Sequence, residues 1–432
     1  MERKIMPSLL EWKKSPDRMP MLLYGARQVG KTYTALTFGK THYKNTVYFN
    51  LEDSLELSSI FERDLDPKRL VRELSVLAGQ SIFEEDTLII LDEIQACERA
   101  LTSLKYFCEK APGYHIIAAG SLLGVALNRE KYSFPVGKVD MLTLYPFDFE
   151  EFLWAIGQKD LSDLIKECYC TFSSFSLHDK AMDLYKTYLV TGGMPRAIYE
   201  YADKKDFDFV KAVQKSLNDA YIADMAKYAT AQETTRIMAA WQSIPAQLAK
   251  DNRKFQYKII KSGARAYEYE IPLQWLQASG VINRCIKVTE GKMPLSVYTD
   301  NNSFKVYMVD TGLLCSKFDI PPHVIISGSH SFDGFKGALA ENYICQALTT
   351  NNITPYYWES AGKAELDFVF QDKSGNIVPL EAKSSENVRS KSLMRFIQLY
   401  ASPYAIRVSA KNFGYERNIK SVPLYAVFCI TP

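Results

Sequence analysis

The chain is short of the long apolar runs that membranes and export require. No stretch approaches the length of a bilayer span, and the Met1-Glu-Arg-Lys start opens no apolar segment long enough for a secretory signal. A cytoplasmic protein without membrane contact is expected. Histidine is scarce, five residues in all and dispersed, which argues against a histidine metal or nucleophile site. The eight cysteines are scattered without zinc-ligand spacing; Cys168-x-Cys170 is the closest pair and has no second half-site. They read as free thiols, in keeping with the cytoplasm. Charge of one sign is lacking too: 52 basic against 50 acidic residues leave a formal +2. Any nucleic-acid binding must then come from a local patch. Repeats and low-complexity tracts are absent.

What is present begins with Gly25-Ala-Arg-Gln-Val-Gly30-Lys31-Thr32, a match to GxxxxGK[ST] directly after the apolar run Met21-Leu22-Leu23-Tyr24. A strand running into a glycine-containing loop and then a helix turns successive N–H groups toward one point, where the helix N-terminus adds positive charge. Triphosphate fits such a nest. Gly25, Ala26, Arg27, Gln28, Val29, Gly30, Lys31, Thr32 and the following Tyr33 are therefore the expected ATP-binding segment. Lys31 is expected to reach the β- and γ-phosphates, and the Thr32 hydroxyl to help hold Mg²⁺.

A second apolar run, Thr87-Leu-Ile-Ile-Leu91, delivers Asp92-Glu93 to its carboxyl end. Asp92 is expected to hold Mg²⁺ through water, and Glu93 to polarise the attacking water. A third, His115-Ile-Ile-Ala-Ala119, ends at Gly120-Ser121, where Ser121 reads equally as a γ-phosphate sensor or a helix cap. With Thr46 to Phe49 and Met141 to Leu144 these make five β-rich runs separated by helical stretches. That alternation predicts an α/β P-loop fold, a parallel sheet with helices on both faces and ligands beyond the carboxyl ends of its strands.

Length implies about three domains. Residues 1–148 are expected to form the ATPase, 149–230 a helical lid or connector, 231–330 a winged helix and 331–432 a small α/β nuclease-like domain. Arg196, beyond the turn Thr191-Gly-Gly-Met-Pro195, and Arg129 are candidates for an arginine stabilising phosphoryl transfer. In the third segment, helices around 234–248, 257–262 and 267–280 precede a ribbon from Ile282, the order of a winged helix. Its third helix opens with Tyr267-Glu-Tyr-Glu270, whose acids oppose phosphate, while Lys254, Lys258, Lys261 and Arg265 suit backbone contacts. DNA reading and protein contact both stay open.

Near the end, two strands around Gly362 to Phe370 and Ile377 to Lys383 flank a turn at Asp372-Lys-Ser-Gly-Asn376. A hairpin centred near Ser374 sets Asp367 opposite Glu381, with Lys383 on the face of Glu381. Asp plus Glu-x-Lys is the pattern of metal-dependent nucleases, in which Asp367 and Glu381 hold Mg²⁺ and Lys383 acts on the water. Glu341, on an upstream helix, is a further candidate ligand. A plain cross-strand ion pair satisfies the same spacing.

The phosphate loop, Tyr48-Phe-Asn-Leu-Glu-Asp53, Leu91-Asp-Glu-Ile-Gln95, Ala119-Gly-Ser-Leu-Leu123 and Leu144-Tyr-Pro-Phe147 with Phe149-Glu-Glu-Phe152 resemble predicted bacterial and archaeal AAA-type ATPases. Thr191-Gly-Gly-Met-Pro195, Lys305-Val-Tyr-Met-Val-Asp-Thr-Gly-Leu313 and Gly337-Ala-Leu-Ala-Glu-Asn342 resemble the uncharacterised domain usually fused to them. The resemblance implies an ATPase module, a winged helix and a restriction-endonuclease-like (PD-(D/E)xK) part. It places nucleotide roles on Lys31, Thr32, Asp92 and Glu93, and nuclease-like positions on Glu341, Asp367, Glu381 and Lys383. One departure is Phe134-Pro-Val-Gly-Lys138, where the family commonly has Gly-Arg and lysine loses the planar fork. The expected function is a Mg²⁺-ATPase acting on or at DNA, with metal-dependent cleavage by its C-terminal domain. The alternative is a nucleotide-controlled switch that binds a protein partner and carries an inert nuclease-like domain. The oligomeric state is left open.

Overall fold

The computed structural model describes residues 1–53, 55–121, 134–250, 253–328, 333–360, 364–384 and 391–432; Arg129 lies outside the described residues. The chain divides into two compact units, one of Arg3–Tyr145 with Ala278–Gly280, the other of Met1–Glu2, Pro146–Gln277 and Val281–Pro432.

The first unit runs α1 (Met6–Lys14), β1 (Met21–Tyr24), α2 (Lys31–His42), β2 (Asn45–Asn50), α3 (Leu55–Glu62), α4 (Pro67–Ala78), β3 (Thr87–Asp92), α5 (Glu98–Lys110), β4 (His115–Gly120) and β5 (Asp140–Thr143). The five apolar runs are its five strands, all parallel, in the order β2-β3-β4-β1-β5. Every residue of β3 and β4 is buried, as expected of central strands covered on both faces. Helix α4 shows how local chemistry seats the cover. The Asp66 side chain accepts from Arg69 N, Pro67 follows at the first helical position, and Gly79, at φ +64°, ends the helix. Leu70, Val71 and Leu74 then face a core containing Val47, Phe49, Ile89, Leu91, Leu104 and Phe107. Because all strands run one way, Tyr24, Asp92 and Gly120 end at one edge of the sheet.

The second unit begins with α6 (Phe149–Ala155), α7 (Lys159–Thr171), α8 (His178–Thr191), α9 (Pro195–Lys204), α10 (Phe207–Tyr228), α11 (Ala231–Leu248), α12 (Tyr257–Ile260) and α13 (Ala266–Ala278). Strands β6 (Ile282–Val288) and β7 (Thr299–Met308) follow, then α14 (Thr311–Phe318), α15 (Pro322–Ile326), α16 (Asp333–Thr350), β8 (Tyr356–Glu359), β9 (Glu365–Gln371), β10 (Ile377–Ala382), α17 (Lys391–Tyr400), β11 (Ala405–Ser409), β12 (Gly414–Glu416) and β13 (Ile419–Pro423). One mixed sheet of eight strands holds them, in the order β12-β13-β11-β10-β9-β8-β6-β7. The ribbon β6-β7 is not a free wing: β6 also pairs in parallel with β8, through Ile286 with Tyr356 and Val288 with Trp358.

The family-like motifs of this unit turn out to be joints. Asp148 and Glu151 form a reciprocal capping box at the start of α6, and Phe149 and Phe152 pack around the buried Tyr188 ring at 5.6 and 5.3 Å. The Tyr188 hydroxyl donates to Phe147 O at 2.6 Å and accepts from Gln346 Nε2 at 2.8 Å. Asp310, fully buried, accepts from Gly193 N at 2.5 Å and caps α14 through Leu313 N at 2.8 Å. Asn342 closes a two-way bond with the Met308 backbone. Buried polar groups hydrogen-bonded to one another favour one arrangement of these segments.

Candidate functional site

The phosphate loop is built as its glycines require. Gly25 has φ +147°, and a Cβ there would stand 2.1 Å from Leu144 O, so no other residue fits. Gly30, at φ +95°, leads into α2, and Gln28 takes φ +63° between them. Val29 is fully buried, and Arg3 clamps the loop from outside, donating to Val29 O at 3.0 Å and Tyr145 O at 2.6 Å. Ala26 is buried, Arg27 half-buried and Tyr33 largely exposed. Lys31, only 7% exposed, donates to Gly25 O at 3.0 Å and Ala26 O at 2.9 Å. Burial lowers its pKa to about 8, against the attraction of Glu93 and Asp92.

The second motif meets the first directly. Thr32 Oγ1 donates to Asp92 Oδ2 at 2.6 Å, although 60 positions separate the two. Tyr48 donates to the same oxygen at 3.0 Å, and Asp92 Oδ1 accepts from Glu93 N at 3.0 Å. Glu93 sits at φ +49° with its carboxylate held by Gln95 Nε2. Ser121 is buried just past the end of β4. Hydroxyl and carboxylate oxygens in contact at a helix start are hard donors of the kind Mg²⁺ selects, so the residues fit that ion. Arg3, Tyr48 and Gln95 were missed from sequence as site residues. Tyr48 and Gln95 stand inside quoted motifs; Arg3 carries no local signal, since its partners come from the fold.

In the second unit the hairpin has the expected register, Ile377 with Gln371 through Leu380 with Phe368, leading on to Glu381 and Asp367. Asp367 Oδ2 accepts from Ala382 N at 2.8 Å, and Lys383 Nζ lies 3.1 Å from Glu381 Oε1. Withdrawal from water and the nearby Glu341 charge push the Asp367 carboxyl up to about 7, against the pull of Lys305. Glu381 Oε2 is buried and has no hydrogen-bond partner among the described residues.

Glu341 departs from the expectation of a metal ligand. One of its oxygens is paired with Arg253; the other accepts from Tyr307 at 2.9 Å and lies 3.8 Å from Lys305 Nζ. Arg253 reaches it across Gly337, where any Cβ would stand 2.6 Å from the guanidinium. The almost fully buried Lys305 also pairs with Glu365 at 2.7 Å. Among the described residues no group of three or more His, Cys, Asp or Glu is arranged to hold a metal ion. Cations balance Glu341, which in this arrangement belongs to an internal ion network with Arg253 and Lys305.

Elsewhere, Arg196 is exposed at the start of α9. Lys254 pairs with Glu359 at 2.6 Å. Of the two acids opening α13, Glu270 pairs with Arg284 at 2.8 Å and Glu268 accepts from Arg265 N at 2.9 Å. No described helix is long and apolar enough to cross a membrane.

Fold and site together define a P-loop ATPase: a parallel sheet with its glycine loop at one strand end and a carboxylate from the next motif on the loop's threonine. More narrowly, residues 17–153 match the family model described as AAA domain. Residues 182–323 and 336–427 match two domains of unknown function, DUF8612 and DUF4143. No curated protein matches the chain. Solved structures similar to it include the Walker-type ATPase PABY2304 of Pyrococcus abyssi, 15% identical over 73% of this chain and 95% of that one, with a TM-score of 0.46. Aeropyrum pernix ORC2 in its ADPNP-ADP complexes is 14% identical over 74% and 89%, with a TM-score of 0.36. The Thermotoga maritima RuvB Holliday junction branch migration motor is 13% identical over 68% and 91%, with a TM-score of 0.32.

Proposed function

We propose that this ATPase hydrolyses Mg²⁺-ATP at the phosphate loop and uses the nucleotide cycle to act on DNA through its second unit. The observation that carries the ATPase chemistry is the 2.6 Å contact of Thr32 with Asp92, beside a lysine whose hydrogen-bond partners among the described residues are its own loop's carbonyls. Phosphate oxygens replace those carbonyls as partners of Lys31. Thr32 and Asp92 hold the ion, which when bound neutralises charge on the phosphates. Glu93, fixed by Gln95, orients water and takes its proton.

Support for DNA as the target comes from α11, α12 and α13 followed by the ribbon, the element order of a winged helix, and from unpaired cations on that segment. Phosphodiester cleavage at Asp367, Glu381 and Lys383 is the finer part of this reading, supported by the hairpin register and the unpartnered Glu381 oxygen. A second reading, a nucleotide switch for a protein partner with an inert nuclease-like part, is favoured by Arg253 on Glu341.

Turnover of Mg²⁺-ATP with single-stranded, duplex and branched DNA, with cleavage followed in the same tubes, separates the two. Stimulation by DNA is expected; turnover indifferent to every DNA, with the DNA intact, favours the switch. Asp367→Ala is expected to abolish any Mg²⁺-dependent cutting and leave ATP turnover unchanged, whereas cutting at the original rate would put that activity elsewhere. A pH dependence follows as well. Lys31 must be protonated to pair with phosphate, and its pKa in the free protein is about 8. Below that value ATP affinity is expected to be flat; above it the apparent Kd should rise by up to about tenfold per pH unit. Titration of a labelled ATP analogue across that range checks it, and a flat profile would contradict the assignment.

A further inference from the structure

A cleft of about 520 Å³ lies in the second unit, between α11, the turn after α12, and the start of α13. Its α11 wall comes from one helical face: Gln232, Thr235 and Arg236 are three and four positions apart, so their side chains stack on the same side. The opposite wall is Lys261-Ser262-Gly263, with Gly263 at φ +77° turning the chain between the two helices. Neither the Arg236 nor the Lys261 side chain has an ion-pair or hydrogen-bond partner among the described residues. Three other cations of this region are committed, Lys254 to Glu359, Arg253 to Glu341 and Arg284 to Glu270. One acid lines the cleft, Glu268, and its carboxylate accepts from Arg265 N at 2.9 Å, capping α13. The cleft therefore presents two uncommitted cations, hydroxyl groups and an amide, with its one carboxylate already engaged. Lys258 and Arg265, whose side chains likewise have no partner among the described residues, flank the same turn.

We propose that this cleft holds a backbone phosphate of bound DNA, with Arg236 and Lys261 as its paired cations. The proposal rests on the reading of DNA as the target and gives that reading a place on the molecule. A guanidinium takes two phosphate oxygens in its planar fork, and an ammonium adds a point charge from the other wall. Ser262 supplies a short donor to a remaining oxygen, while the Thr235 hydroxyl already donates to Ala231 O at 2.9 Å. Contacts of this kind fix position on the duplex and carry no base sequence, so binding through the cleft is sequence-tolerant and falls with salt. Of the acids that open α13, Glu270 is balanced by Arg284; Glu268, capped by Arg265 N, keeps its charge and is outweighed by the two cations of the cleft.

The test is fluorescence anisotropy of labelled duplex DNA on the full chain over a salt series, comparing the original protein with Arg236→Ala, Lys261→Ala and the double variant. Lys211→Ala serves as a control, because Lys211 is paired with Asp319 on another part of the same unit. Each cleft substitution is expected to weaken binding about threefold to tenfold, equally for unrelated sequences, and to reduce the salt slope by about one. ATP turnover without DNA should be unchanged in all variants, and an unchanged thermal melt shows that the second unit folds. Duplex binding by the original protein with undiminished binding by the double variant would overturn the cleft alone. Absence of duplex binding by the original protein would overturn both the cleft and the DNA reading beneath it.

Discussion

Lys31→Ala is expected to lower ATP turnover by about 100-fold or more, since a positioned charge on the transferring phosphoryl group is among the largest single contributions to such catalysis. The effect on stability should be small. Lys31 is buried, and withdrawal from water already lowers its pKa to about 8, so the charged ammonium gains little from its place in the free protein. Its partners there are two carbonyls of its own loop, and the loop's shape is set by Gly25, Gly30, the buried Val29 and the clamp from Arg3. Steady-state turnover beside a thermal melt tests the assignment. Retained turnover at the original rate would remove the phosphate loop from the mechanism, and a collapsed melt would make the lysine structural.

Gly193→Ala is expected to have the largest effect on stability, about 3–5 kcal/mol in the second unit. A Cβ at this position would stand 2.0 Å from Phe147 O and 2.9 Å from Phe147 N, both backbone atoms that cannot swing aside. Relief by shifting the chain would stretch two short bonds at once, Phe147 N to Gly193 O at 2.7 Å and Gly193 N to Asp310 Oδ2 at 2.5 Å. Asp310 is fully buried, and burial already pushes its carboxyl up to about 6 despite its backbone donors, so losing one of them exposes the cost of keeping that charge inside. Gly157→Ala is the comparison. Gly157 has φ +74° but open space around a Cβ, so only the conformational cost of about 1 kcal/mol applies. Melting of the two variants side by side should separate them by several degrees; equal melting temperatures would mean that the joint at Gly193 yields.

Much of the nucleotide site was legible because its parts are short and local. A glycine loop between a strand and a helix, and acids at the end of a buried strand, are read from runs of fewer than ten residues, and each run maps onto one element. The hairpin of β9 and β10 was legible for a similar reason: a turn centred on Ser374 fixes every cross-strand pair by counting. The ion network around Glu341 was not legible because its members come from far away in sequence. Arg253 lies 88 positions upstream and Tyr307 34, and no periodicity announces that they meet it. The same limit applies to Lys254, whose partner Glu359 is 105 positions distant, and to Arg236, whose cleft exists only once the turn after α12 folds against α11.

By itself the sequence determined the strand and helix runs of the first unit, the loop that meets phosphate, the acids of β3 and the register of the late hairpin, since propensity, glycine conformation and side-chain alternation act between near neighbours. The tertiary structure alone decided which carboxylates remain free and which are neutralised. It also decided that the ribbon β6-β7 shares a sheet with β8 to β13, and that glycines in one motif are spaces for the backbone and the carboxylate of others. Burial and Coulomb interaction depend on distance in space, and distance in space is set only when the whole chain has folded.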